Sequence, residues 1–455
     1  MPGKRYRCGL AVLLLAWTSG SVARAQENTA GEPPENTVTA TTEEPAPAAE
    51  AAPATGYDFW TADYMLGDWN GLRTELKDAG VDMKFRLMAI PQFSMYGGRN
   101  TDESFESSFQ MGYAFDFDME KLVGIKGGSW FMRFRQTWNG GEPGLRVHVG
   151  TSPYSGVGAR STREFYVDKY HWRQRFFDDR LELRLGILDA ADYFDLNEYA
   201  DSVYGAFPNG DLEHNPTVPL TLGGGAFMRV WPTDWLSFSA GAVDPDRINT
   251  RNRHGTGGWH SAFHDRAAYV GFWEVDFIPS EIEGSKLLPG TYRIGWWYNP
   301  DSMEVFQDNW NGTRAPRTRS GDVGWYLSFD QMVWKENPAD PKDSQGIGLF
   351  ARYGYAHEDI NEINHFWSLG GQYKGLIPER NKDILGFGVA QRVPSDNLQA
   401  IDPTVDPQTV YDLYYKIIVT PWLKVTPDFQ WISNPGSDRT VDDAFVGAVR
   451  VEVSL

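Results

Sequence analysis

The chain has 455 residues and a formal net charge of −19, which suits a large core or a large barrel and argues against nucleic-acid or anionic-lipid partners. A mean hydropathy of −0.46, with no run of 18 apolar residues beyond the first 25, excludes a bundle of membrane-crossing helices. It does not exclude a β-barrel, where lumen-facing polar residues cancel lipid-facing apolar ones in any window average.

Residues 1–25 read as an export signal. Lys4, Arg5 and Arg7 form the positive start, Leu10 to Trp17 the apolar stretch, and Ala23-Arg24-Ala25 the small-x-small cleavage site. Cys8 lies at the start of the apolar stretch rather than after a cleavage box, so it does not mark a lipoprotein. Cleavage after Ala25 removes the single cysteine, four positive charges and no negative ones, taking the net charge from −19 to −23. The mature chain then has no disulfide and no thiolate chemistry. Residues 26–56 hold six Glu, five Pro and neither Lys nor Arg; such a segment cannot bury enough apolar surface to fold and is expected to be a disordered periplasmic spacer. Residues 57–80 are expected to carry a short periplasmic helix. Asp68 or Asn70 would cap it, Leu72, Leu76 and Ala79 would share one side, and Gly80 would end it. Its expected role is to cover the base of a barrel.

From Val81 to Leu455 the pattern is strand after strand. In Phe109-Gln-Met-Gly-Tyr-Ala-Phe-Asp-Phe-Asp-Met-Glu120 every odd position is apolar or aromatic and every even one is polar, acidic or tiny. Side chains alternate between the faces of a strand, so one face is greasy and the other wet. The same alternation recurs at Val81 to Leu87, Trp130 to Trp138, Leu181 to Ile187, Val323 to Asp330, Tyr411 to Val419 and Phe445 to Leu455. Weaker strands begin near Arg163, Gly225, Leu236, Ala267, Thr291, Gln345, His365, Ile384 and Leu423. The total is about sixteen, an even number as single-chain bacterial barrels require. Short breaks at 121–128, 232–235 and 420–422 read as periplasmic turns. Long polar ones at 140–161, 190–223, 244–266 and 299–321 read as extracellular loops, with 190–223 expected to fold inward. The predicted fold class is all-β, a transmembrane antiparallel barrel in the outer membrane of a Gram-negative bacterium.

If the apolar faces meet lipid, the others wall a watery lumen. Arg86, then Asp116, Asp118 and Glu120, then Arg133 and Arg135 fall on three successive early strands, and Arg184 on a later one. Opposed acidic and basic rows orient water and make an apolar solute's passage costly. Sugars, as neutral polyols, trade hydration for hydrogen bonds from guanidinium and carboxylate groups and stack on aromatic faces. These seven residues are the candidate pore-lining and sugar-binding set; the plain alternative is a set of solvated lumen charges with no role in selectivity. His260 and His264 are spaced i, i+4 but lie in a Gly-rich stretch without helical context, so no metal site is expected. A barrel lipase needs a Ser–His pair at the lipid-facing rim, and no adjacent strands supply one. Gly124 to Ser129 lacks the spacing of a phosphate loop and reads as a hairpin turn. No catalytic residue and no cofactor are expected.

Several blocks resemble the carbohydrate-selective outer-membrane porins of the OprB family. They are Leu66-Gly-Asp-Trp-Asn-Gly-Leu-Arg73, Leu185-Gly-Ile-Leu-Asp189 with Phe194-Asp195, Leu288-Pro-Gly-Thr-Tyr-Arg-Ile-Gly295, Gln345-Gly-Ile-Gly-Leu-Phe-Ala-Arg-Tyr-Gly354, Tyr373-Lys-Gly-Leu-Ile-Pro378 and Thr426-Pro-Asp-Phe-Gln-Trp-Ile432. Asn70 stands where the family's opening block has a second Gly, and Leu455 where such barrels usually end in Phe. The resemblance implies a sixteen-stranded pore passing glucose and related monosaccharides passively, as a homotrimer or a monomer, delivered to the membrane by the outer-membrane assembly machinery. Open alternatives are a general or anion-selective diffusion pore, a barrel enzyme such as a phospholipase, and a secreted β-sandwich binding module.

Overall fold

The computed structural model describes residues 57–100, 105–139, 145–154, 165–200, 205–245, 269–306, 317–340 and 342–455. The export signal, the acidic spacer, and His260 with His264 lie outside the described residues.

A single-turn 3-10 segment, Trp69–Gly71, leads into helix α1, Leu72–Asp78. Asp68 reaches over it, accepting from the Thr74 amide at 2.9 Å and the Thr74 hydroxyl at 2.8 Å, the work of an N-terminal cap. Gly80 ends the helix at φ +102°, a backbone open to glycine at little cost. The expected apolar stripe is not what docks the helix. Leu72 and Ala79 are exposed, whereas Arg73 is buried. Arg73 donates to the Leu455 carbonyl at 2.7 Å and lies over the rings of Tyr64 and Trp69. One cation, by hydrogen bond and cation–π contact, ties the helix to the last residue of the chain.

The strands that follow are β1 (Val81–Gly98), β2 (Phe105–Asp118), β3 (Gly128–Asn139), β4 (Phe165–Phe176), β5 (Leu181–Asp189), β6 (Leu222–Thr233), β7 (Leu236–Val243) and β8 (Val270–Phe277). Then come β9 (Gly290–Glu304), β10 (Thr318–Lys335), β11 (Gly346–Ala356), β12 (Ile363–Lys374), β13 (Ile384–Pro394), β14 (Gln408–Thr420), β15 (Leu423–Ser433) and β16 (Asp442–Ser454). Each pairs antiparallel with its sequence neighbours, and β1 pairs with β16 from Arg86↔Ser454 to Gly98↔Asp442, closing a sixteen-stranded barrel. Closure leaves no strand edge, so the sheet satisfies its own backbone donors and acceptors.

The alternation read in the sequence is the alternation of the wall. On β10, Val323, Trp325 and Leu327 are 45%, 39% and 43% exposed on the outside, while Tyr326, Ser328 and Asp330 are 0%, 1% and 4% exposed inside. Rings crowd the outer surface: Trp273 stacks on Trp296 at 6.2 Å and Tyr292 on Phe329 at 5.9 Å. A band of outward apolar side chains running around a closed barrel is far more than a water-soluble protein exposes, so the outer solvent is hydrocarbon.

One expected loop is partly strand. Residues 299–304 and 318–321, placed in the loop 299–321 by the sequence, belong instead to β9 and β10. The ladder passes from Asp322↔Asn299 to Ser320↔Ser302, so Pro300 and Asp301 are taken up in a bulge opposite Gly321, where proline and glycine are tolerated.

The barrel is not hollow throughout. The described residues of the β5–β6 connection, 190–200 and 205–221, fold back into the lumen against the inner face of β6–β16. Phe194 stacks on Phe272 at 5.2 Å and Phe207 meets Tyr414 edge-on at 5.0 Å. Buried arginines hold its backbone: Arg352 donates to the Leu212 carbonyl at 2.8 Å and the Asp195 carbonyl at 3.1 Å, and Arg450 to Ala206 at 3.1 Å. Its one-turn helix, Gly210–Glu213, carries Asp211, which pairs with Arg392. Glycines on the inner wall make the room. A Cβ at Gly348 would lie 2.1 Å from the Tyr199 ring, and one at Gly388 would lie 2.9 Å from Leu212 and 3.0 Å from Phe207. The described part of the β3–β4 connection, 145–154, also turns inward: Tyr154 joins a buried apolar cluster with Met88, Ile90 and Ile432 and donates to Asp428 at 2.8 Å.

Candidate functional site: the free wall of the lumen

With β6–β16 covered by the inner loop, the inner residues left partly exposed at mid-height are those of β1–β3, joined by Arg173 of β4. Register places them in rungs. Arg86 pairs across Gly112, and Gly112 across Arg135. The next rung holds Lys84, Ala114, Arg133 and Lys169, and the one after it Asp82, Asp116, Phe131 and His171. Gly112 and Ala114 are small, which clears space in front of the sheet for the longer side chains beside them.

Two guanidinium groups share one carboxylate here. Asp168 accepts from Arg133 Nε at 2.6 Å and lies 3.3 Å from Arg135 Nε. A β-bulge makes this possible: pairing steps from Arg133↔Lys169 to Phe134↔Val167, leaving Asp168 as the extra residue, so that Asp168 and Lys169 both serve the inner face. Lys169 pairs with Asp192 of the inner loop. The acid is the deeper partner, at 5% side-chain exposure against 20% and 21% for Arg133 and Arg135. Water in the lumen therefore meets donors rather than acceptors at this point. Farther along, Arg184 donates to Glu182 at 2.6 Å and stands 3.2 Å from His171 Nε2, while Arg173 donates to the Ser129 hydroxyl at 2.9 Å.

The structure thus gathers Arg86, Asp116, Arg133 and Arg135 on one patch, with Arg184 at its margin. Asp118 and Glu120 stand apart from it. Asp118 ends β2 and caps the one-turn helix α2 (Met119–Val123), accepting from the Glu120 amide at 3.0 Å and the Lys121 amide at 3.1 Å. Glu120 accepts from the Gly127 amide at 3.2 Å. Both carboxylates serve the turn, at the end of the strand where alternation stops; they drop out of the pore-lining set. Asp168, Lys169 and Arg173 belong to the patch although alternation alone does not mark them. A bulge shifts the period of two by one residue, and the strand was read only as a weak one beginning near Arg163.

A sixteen-stranded closed barrel with an outward apolar band, an inward-folded loop and a charged free wall is the architecture of a channel. The model of the OprB family, described as a carbohydrate-selective porin, matches residues 102–455. The chain belongs to the OprB family of carbohydrate-selective porins. Among relatives, Porin B of Pseudomonas aeruginosa is 26% identical over an alignment that covers 86% of this chain and 90% of that protein. A putative porin QuiX of Acinetobacter baylyi is 21% identical, covering 88% and 95%. A solved high-pH structure of OprB from Pseudomonas putida superposes with a TM-score of 0.74 at 22% identity, covering 88% of this chain and all of that one, which shows the same fold. As an OprB-family barrel the chain is an outer-membrane, carbohydrate-selective porin and not an enzyme. Its two-faced strands cross the bilayer of a Gram-negative bacterium, and sugars are its solutes.

Proposed function

We propose that this porin passes small sugars such as glucose by passive diffusion, along a path between the inner loop and the β1–β4 wall. The rungs that set Arg86, Arg133 and Arg135 around the small Gly112 and Ala114 carry this reading. A hydrated polyol entering there exchanges water for guanidinium donors and for the Asp116 carboxylate, at little net cost, because each lost hydrogen bond has a replacement. An apolar solute finds no replacement and must break the ordered water. The long connections face the exterior and the termini the periplasm, as in outer-membrane barrels generally. The protein is inserted by the outer-membrane assembly machinery and works as a homotrimer or a monomer, which crosslinking in intact membranes distinguishes. Liposome swelling tests the transport reading: proteoliposomes should admit glucose several times faster than empty liposomes, and equal rates would overturn it.

A further inference from the structure

Resting on that sugar-path reading, we infer that Phe131 is a stacking platform that lets the pore favour ring-form sugars over open-chain polyols of the same size. Phe131 lies on the inner face of β3, two residues from Arg133, and is half-exposed. Its rung neighbours are Asp116 on β2 and His171 on β4. The His171 ring is buried and packs against it, with centroids 5.3 Å apart and planes 32° apart. That ring is in turn fixed by Arg184 at 3.2 Å and meets Tyr193 of the inner loop edge-on at 6.5 Å. Phe131 is thus buttressed from one side by a buried ring that is itself held on two sides.

A large apolar side chain on a water-facing wall loses hydration free energy unless something covers it. Its surroundings say what the cover is. Asp116 stands beside it on β2, Arg133 on the rung to one side, and Arg173, opposite Ser129, on the rung to the other. An aromatic face edged by a carboxylate and guanidinium groups matches one solute chemistry well. A pyranose in its chair form presents a patch of axial C–H groups on one face and a rim of equatorial hydroxyls. The C–H patch covers the ring face, while the rim hydroxyls donate to Asp116 and accept from Arg133 and Arg173. An acyclic polyol such as sorbitol has the hydroxyls but no fixed C–H face, so it gains the rim bonds without the stacking.

Planar-bilayer conductance in the presence of glucose or sorbitol tests the inference, with Phe131→Ala and Phe131→Trp as variants. In the unsubstituted porin, glucose should reduce the ion current at lower concentration than sorbitol. Phe131→Ala should weaken the glucose effect by about fivefold, the scale of one aromatic stacking contact, and leave the sorbitol effect within a factor of two. Phe131→Trp should keep the preference. The conducting channels themselves report that each variant has folded. An unchanged glucose-to-sorbitol ratio in Phe131→Ala would overturn the stacking inference while leaving the sugar path standing. Absence of any sugar effect in the unsubstituted porin, together with no glucose-driven swelling, would instead remove the sugar path.

Discussion

At the scale of single residues, the lumen uses arginine for two different purposes, and burial tells them apart. Arg352 and Arg450 are buried and spend their donors on backbone carbonyls of the inner loop. Arg133 and Arg135 keep part of their surface in the free lumen and share Asp168. This sharing predicts an asymmetry between variants. Arg135→Ala leaves the Arg133–Asp168 pair intact, so the barrel should keep its stability, widen at this rung and conduct more in single-channel records. Removing both guanidinium groups takes two hydrogen-bonding cations from a buried carboxylate, which costs about 3–5 kcal/mol. The double Arg133→Ala, Arg135→Ala variant should therefore lose its heat-resistant folded band on a semi-native gel at a visibly lower temperature than Arg135→Ala. Equal stability of the two variants would show that Asp168 does not depend on the pair.

At the scale of elements, the inner loop is the part that narrows the barrel. Its docking is specified from both sides. The loop contributes Phe194, Phe207 and Leu212 as apolar anchors, and the wall contributes glycines where those anchors and Tyr199 approach most closely. Gly348→Val would place a branched side chain where the Tyr199 ring now lies, and neither the strand backbone nor the packed ring can yield without shifting the loop. Phe207→Ala would instead remove a buried anchor and leave a cavity, a loss of about 3–5 kcal/mol. The two changes act by opposite means on one interface, and both should free the loop. Each should raise the current fluctuations of single channels and weaken sugar discrimination while the barrel still inserts. Quiet, wild-type-like traces from both would mean that the loop is held by its polar contacts alone. The turn at the other end of the barrel illustrates the reverse case. There the carboxylates of Asp118 and Glu120 belong to local structure, capping α2 and closing on Gly127.

At the scale of the whole molecule, the period-two pattern carried the architecture. All sixteen strands lie where alternation and its weaker echoes placed them, because a wall between hydrocarbon and water imposes opposite chemistry on successive residues. Three features were not legible, each for a physical reason. The bulge at Asp168 breaks the period by a single residue. The hairpin of β9 and β10 runs through Asn299, Pro300 and Asp301, whose local preference for turns is overridden by the continuing ladder on both sides. Helix α1 docks through Arg73 rather than its leucines, since its partners, Tyr64, Trp69 and the Leu455 carbonyl, are set by closure of the chain ends and not by the helix's own spacing. Of the candidate site, the arginines and Asp116 were legible because they alternate with outward aromatics. Their assembly around Gly112, Ala114 and Phe131 depends on cross-strand register, which no single strand encodes.

On the proposed path, solutes pass beside the inner face of β3. Single cysteines at 131, 133 and 135, and at 132 and 134 as controls, allow it to be checked in one experiment. A water-soluble, membrane-impermeant thiol reagent is added while single-channel current is recorded. Modification at 131, 133 and 135 should cut the current in discrete steps, and 132 and 134 should remain silent because they face lipid. Steps at 132 and 134 with silence at 131, 133 and 135 would rule out that path.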